Sequence, residues 1–313
     1  MDFMKEKKGL ILVILTAIIS GFSIFINSYG VKEFDSSIFT FTKNVLVALL
    51  LFSVIFAFGN ISELKTLKRK NWLQLIIIGL VGGSIPFLLF FEGLKLTTGT
   101  TSAFIHKTLF IYATIFALIF LKEKLNKGIL VGAGLLLLGN FLMIKPDFKF
   151  SVGHLLILIA AILWAIENTY AKHVLKNVSG NVVAFGRMFF GSAFILIYLV
   201  ISNKVSLLGK LTSTHLFWII ISSGFLLMYV LTYYNGLKHV KVSTATSILV
   251  LGSVITTTLN IMFKGTAITI LNAGGMLTIV IGALAVIWFS EIQPIKAGNI
   301  NNINPDVAQD GRS

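Results

Sequence analysis

Apolar runs of about 20 residues, separated by short clusters of charge, set the pattern of this chain. That length crosses ~30 Å of hydrocarbon at ~1.5 Å of helix rise per residue. The pattern predicts ten membrane-spanning helices, at 9–30, 36–58, 72–93, 99–121, 127–145, 152–174, 181–203, 215–236, 242–263 and 267–290. The connections are short, so consecutive helices are antiparallel neighbours. The fold class is therefore an all-α membrane protein with ten transmembrane helices.

The pattern is also doubled. The stretch from Glu92 to Ile144 recurs from Asn235 to Ile287, at a constant offset of 143. Gly93, Leu94 and Lys95 fall on Gly236, Leu237 and Lys238, Phe120 on Phe263, Gly132 on Gly275 and Gly139 on Gly282. Five spans precede the midpoint and five follow it. An odd number per half turns the second copy upside down, so the repeat is a 5+5 inverted one. Lys43 of span 2 aligns with Arg187 of span 7, at opposite ends of their helices. Inverted repeats are the usual architecture of secondary transporters, with the substrate site near the midplane between them. The expected organisation is an N-terminal segment 1–8, a first repeat 9–145, a second repeat 152–290 and a polar, mobile tail 291–313.

Composition agrees. Apolar residues make up 56% of the chain, 12% is charged and the mean hydropathy is +0.91. Water would not hold such a surface. The net charge of +14 does not argue for nucleic acid, because the basic residues sit in short loops and not on one face. They concentrate in alternate loops, chiefly as Lys65, Lys68, Arg69 and Lys70, which places both termini in the cytoplasm of a cell-membrane protein. The absence of cysteine excludes disulfides and thiolate metal sites. The basic start, MDFMKEKK, is followed by too long an apolar run for a signal peptide and reads as the flank of a retained first helix. No HExxH, GxSxG, Walker or metal-spacing pattern occurs, so neither an enzyme, a cofactor nor a metal is expected.

The GLK near the end of the third helix of each half carries a family likeness. So do the small-residue starts of the fourth (Thr100-Thr101-Ser102-Ala103 and Ser243-Thr244-Ala245-Thr246), the LKEKL at 121–125 and the sixth helix GHLLILIAAILWAIENTYAKHV. Together they resemble the drug/metabolite transporter superfamily in its ten-helix EamA branch, over residues 9 to 290. The resemblance implies a bundle that moves small organic solutes, often outward, and often amino acids or related metabolites. The halves differ where Glu123 aligns with Thr266 and where span 2 has Lys43 in place of the family's common Arg.

Ionisable groups inside a span cost at least ~2.5 kcal/mol each on insertion scales and are functional candidates by default. Five are present: Lys43, Glu92, Lys107, Glu167 and Arg187. Glu167 and Arg187 lie at similar depth and can meet, either as an ion pair joining two helices or as a gating or coupling switch. Arg187 is notable in a chain with 23 Lys and 3 Arg, because planar, multidentate donation distinguishes it. Lys43 and Lys107 form a second set, with Glu92 as their expected partner. Their positive excess suits an anionic group on a substrate. His106 adjoins Lys107 and turns about 100° from it on a helix. Trp164 shares a face with Glu167, and Tyr229 and Tyr233 are four apart on span 8, where they can line the same cavity. Pro86, after Gly82-Gly83, predicts a kink in span 3, and the glycines of spans 5 and 10 predict close helix packing.

These readings converge on a secondary transporter, exporting small polar or zwitterionic metabolites such as amino acids by alternating access. Its expected partners are a small-molecule substrate, the bilayer and protons as coupling ion, in a monomer or homodimer. A channel-like or lipid-scrambling protein is the alternative, with an integral-membrane enzyme third.

Overall fold

The computed structural model describes residues 2–31, 35–58, 61–97, 99–144, 151–265 and 267–291. The polar tail expected beyond Glu291 lies outside them. The described residues are helical, without strands. In the first half, α1 (Asp2–Gly30), α2 (Ser36–Ala57), the short α3 (Ile61–Thr66), α4 (Arg69–Gly83), α5 (Ile85–Lys95), α6 (Gly99–Lys107), α7 (Leu109–Phe120) and α8 (Lys127–Ile144) follow in order. In the second, α9 (Val152–Val174) and α10 (Gly180–Ile201) lead through a 3-10 turn to α11 (Ser213–Leu237), α12 (Val242–Ile248), α13 (Leu251–Lys264) and α14 (Ile270–Glu291). Among the described residues nine spans are long and apolar enough to cross a membrane, and Phe104–Phe120 is a shorter tenth. The protein is a multi-pass membrane protein built as two five-span repeats.

Packing obeys the inversion. α1 packs on α11 as α5 packs on α9, α1 on α13 as α7 on α9, and α10 on α4 as α2 on α11. α2 meets α10 and α8 meets α14 across the pseudo-twofold axis. The repeated GLK now has a physical reason. A side-chain carbon on Gly93 would lie 2.7 Å from Gly153 O, and one on Gly236 would lie 3.0 Å from Gly9 O, so these glycines are the points where backbones cross. Without a hydrophobic drive between helices in lipid, small residues that admit such approach carry the association. Gly132 meets Gly282 and Gly139 meets Gly275 in the same way between α8 and α14, whereas Gly274 contacts nothing within 4 Å.

Three predicted continuous spans are interrupted. Span 3 breaks at Ser84, where Pro86 cannot donate to the carbonyl four residues back, and α5 restarts beyond it. Spans 4 and 9 break at equivalent places, around Thr108 and around Leu249–Val250. Sequence reading treated both as unbroken, since no proline marks them. α1 also begins at Asp2, so the charged start continues the first helix.

Candidate functional site

A cavity of about 270 Å³ opens between the repeats. Its walls come from the middle and far part of α1 (Ser20, Ser23, Asn27), from α2 (Lys43), from α5 (Phe87, Phe90, Leu94) and from the α6 end (Ser102, His106, Lys107). The second repeat adds Trp164 and Asn168 of α9, Arg187 of α10, Tyr229 of α11 and Thr246, Leu249 and Val250 around the span 9 break. Call the side where α1 starts proximal and the other distal. These first-repeat residues lie in the distal halves of their spans, and those of the second repeat lie from mid-helix, at Trp164, into the proximal halves, with Thr246 nearest its proximal helix start. The distal reach of the cavity comes from the first repeat, whose Asn27 and Leu94 lie close to the distal ends of their helices.

The two broken helices meet in it. Lys107 ends α6, is 6% exposed and donates from Nζ to Leu249 O at 3.3 Å. Leu249 caps α12, and its carbonyl, which also accepts from Gly252 N at 3.1 Å, lies at the negative end of that helix. A cation from one half thereby rests on a carbonyl at the helix break of the other. His106 also lines the cavity, its ring edge-to-face with Trp164 at 5.1 Å. The break just after Lys107 lets the two neighbours reach one space.

The kink at Pro86 organises the opposite wall. The orphaned Gly82 carbonyl accepts from Trp164 Nε1 at 3.0 Å and from the Arg187 guanidinium at 3.1 Å. Next to it, Asn44 Nδ2 donates to Gly83 O at 3.0 Å. A buried carbonyl left unbonded costs ~1–3 kcal/mol, so the bend is held by these side chains. A side-chain carbon on Gly82 would fall 2.4 Å from Glu167 Cγ and 3.3 Å from Arg187 Nε. Glycine is therefore what lets the carboxyl and the guanidinium flank this point.

Glu167 and Arg187 come together but are not paired, since no ion pair within 4.0 Å joins them among the described residues. Glu167 is 1% exposed and accepts from the Tyr234 hydroxyl at 2.6 Å. Its Oε2 and the Arg187 Nε both lack a hydrogen-bond partner. The guanidinium carbon lies 5.8 Å from the ring centres of Phe87 and Tyr234. Lys43, its counterpart in the first repeat, is likewise buried among rings, 4.7 Å from Phe39, 5.5 Å from Phe91 and 5.9 Å from Phe87. The aligned cations thus share Phe87, and each has its own aromatic from the aligned pair Phe91 and Tyr234.

Two expectations need correction. Glu92 is no partner for Lys43 or Lys107: its side chain is 55% exposed and pairs at 3.8 Å with Lys95, one helical turn on. Glu167 and Tyr233 are beside the cavity and not in its lining, although Tyr229 and Tyr233 do stack at 5.7 Å. Sequence reasoning missed Tyr234 and the serine-asparagine stripe of α1. The repeat offset marked the first, through Phe91. Helical spacing marked the second, as Ser20, Ser23 and Asn27.

The proximal side is shut. Glu123, just beyond α7, accepts from the backbone N–H groups of Val242 and Ser243 at 2.7 and 3.2 Å and from the Ser243 hydroxyl at 2.6 Å. Lys241 donates to Lys124 O at 2.9 Å, and Glu63 accepts from Ser179 N at 2.7 Å. All three link one repeat to the other. On the same side, Leu10, Val13, Leu237, Val240, Val242 and Ala245 are at most 3% exposed.

The profile of the EamA-like transporter family matches twice, over residues 7–145 and 151–288. An uncharacterized transporter of Clostridium kluyveri is 23% identical over 299 residues, which cover 89% of this chain and 92% of that one. A protein of Fusobacterium nucleatum named riboflavin transporter ImpX is 26% identical over 261 residues, 76% of this chain and 84% of its own. A known crystal structure superimposes with a TM-score of 0.75 at 16% identity, over 89% of this chain and 98% of that one. That similarity concerns the fold.

Proposed function

We propose that this chain, which belongs to the EamA-like transporter family, is a secondary transporter that works by alternating access and exports a small polar metabolite, an amino acid or a derivative of one. One observation carries the mechanism. The cavity reaches the distal helix ends while three cross-repeat links and a dry apolar layer close the proximal side. A pore open to both sides would have no such seal. With the termini in the cytoplasm, as the loop charges place them, this is an outward-facing state. Rocking the repeats about the glycine crossings would break the Glu123 clamp and close the distal half.

In this reading Lys107 and Lys43 receive an anionic group, while Trp164, His106 and Tyr229 pack the body of the substrate. Glu167 and Arg187 are the coupling element. Two orphaned polar atoms side by side are costly, since an uncompensated buried charge is worth ~3–5 kcal/mol. Proton uptake by Glu167 relieves that cost in this state, and ion pairing with Arg187 relieves it in the other. The Fusobacterium relative's name supports a second reading, a neutral flavin held by the aromatic wall, which leaves three cations without a counter-charge.

The test uses a chain without native cysteine, so single reporters are clean. Ser23→Cys in the cavity is expected to label with a membrane-impermeant maleimide from the distal side, and Val240→Cys in the seal to label hardly at all. Glu123→Gln is expected to raise labelling at the second several-fold and lower it at the first. Simultaneous labelling from both sides, with unsaturable flux, would show a channel instead. Uptake in right-side-out and everted vesicles decides direction.

A further inference from the structure

We infer that the substrate is an aromatic carboxylate without a free ammonium group, chemically a deaminated or N-acylated aromatic amino acid; this rests on the transporter reading above and narrows it. The argument is one of charge. Lys43, Lys107 and Arg187 line the cavity at 2%, 6% and 6% exposure, and no Asp or Glu is among the residues that line it. None of the three forms an ion pair within 4.0 Å among the described residues. Buried cations without a counter-charge are held against their desolvation cost, which an arriving anion offsets and an arriving ammonium increases.

A zwitterion needs a place for its positive end, and the carboxyl and the ring faces beside the cations are taken, which leaves it only uncharged acceptors and rings of the lining such as Asn27 Oδ1 and Trp164. The carboxyl nearest the cavity, Glu167, is sealed at 1% exposure with its Oε1 on the Tyr234 hydroxyl. Aromatic faces bind ammonium groups within ~6 Å of the ring centre. Here Phe39 and Phe91 already face Lys43, and Phe87 faces both Lys43 and Arg187. What is left for the substrate is a wall of ring faces and edges: Trp164 packs on His106 at 5.1 Å and on Phe90 at 5.6 Å. Such a wall favours offset and edge-to-face contact with a planar ring. The cations then select the acid and the wall selects the ring.

The inference is tested with purified full-length protein in liposomes, by inhibition of counterflow and by quenching of intrinsic tryptophan fluorescence. The probes are phenylpyruvate, N-acetylphenylalanine, phenylalanine, the neutral phenylacetamide and the aliphatic pyruvate. The two aromatic anions are expected to bind at least tenfold more tightly than the other three. Lys43→Gln and Lys107→Gln are each expected to weaken the aromatic anions about tenfold and to change phenylacetamide less than twofold. Lys107→Arg, which keeps the charge if Lys107→Gln fails to fold, is expected to retain the preference. If phenylalanine or phenylacetamide binds as tightly as the anions and drives saturable counterflow, the inference falls and the transporter reading stands. If none of the probes binds or exchanges, the inference falls as well. Unsaturable flux of every probe overturns both.

Discussion

Gly82 is the residue on which most of the site depends. Its carbonyl is freed by Pro86 and taken up by Trp164 and Arg187, and its missing side chain is the room that Glu167 occupies. Gly82→Ala therefore drives a methyl group to 2.4 Å from Glu167 Cγ. An overpacked core costs ~1–3 kcal/mol. The expected result is a fall of several degrees in melting temperature and near-complete loss of flux. Gly134→Ala, with nothing within 4 Å of the new carbon, is expected to leave both within error. Thermal unfolding of the three proteins in detergent checks this. At the same scale, Glu167→Gln removes the titrating group from the proposed coupling element. Its flux is expected to lose its pH dependence, while counterflow at equal pH persists. A pH profile unchanged from the original protein would remove Glu167 from that role.

At the scale of elements, the breaks matter more than the helices. α12 is a seven-residue strut, buried throughout, with the Glu123 clamp at its start and the Lys107 contact at its end. Whatever moves Lys107 off Leu249 O therefore acts on the same piece that Glu123 holds. In span 3 the break is made by one residue. Pro86→Ala restores an N–H that competes for Gly82 O with Trp164 and Arg187. Pro86 stands in the first turn of α5, where proline is tolerated, so the variant is expected to melt close to the original protein and to transport several-fold more slowly. Equal or faster flux would mean that the bend plays no part in transport. The pair α8 and α14 stands apart from this machinery. Gly139→Leu is expected to separate it and destabilise the fold, because the backbones meet there at 2.8 Å from the glycine's would-be side chain.

Over the whole molecule, the cross-repeat links differ between the two faces. The proximal side has Glu123 on a helix start, and its counterpart at 266 is Thr. The distal side has instead an ion pair across the repeats, Asp35 to Lys204 at 3.0 Å. Burial pushes the Asp35 carboxyl up, but the hydrogen bonds from Lys204, Ser37 N and Ile38 N outweigh it and hold it below the ordinary value. Lys204 is raised, by its hydrogen bond to Asp35 against the opposing effect of burial. A lowered carboxyl contributes its stability above its ordinary pKa and loses it as pH falls through the lowered one. A raised lysine contributes below its ordinary pKa and loses it as pH climbs through the raised one. The pair therefore holds across neutral pH and fails in acid. Being partly exposed, it is worth ~0.2–1 kcal/mol. Asp35→Asn is expected to lower the melting temperature by a degree or two at pH 7 and by nothing at about pH 2, below the carboxylate range. The same loss at both values would show that the pair does not set it.

Much of this was legible in the chain because membrane physics leaves few choices. Apolar length dictates helices, an odd span count dictates inversion, and the cost of burying charge picked out Lys43, Lys107, Glu167 and Arg187 before any contact was known. Glycine spacing likewise announced the helix crossings. What only the tertiary structure decided were relations between residues far apart in sequence. The breaks at Thr108 and Leu249 carry no proline or glycine, and the cation beside one meets the carbonyl at the other. Glu92, close to Lys43 by depth, turned outward to Lys95 because a one-turn neighbour costs no desolvation. Tyr234, and not an arginine, holds Glu167, because Gly82 sets the carboxyl beside the guanidinium at a distance that leaves both with an unbonded atom.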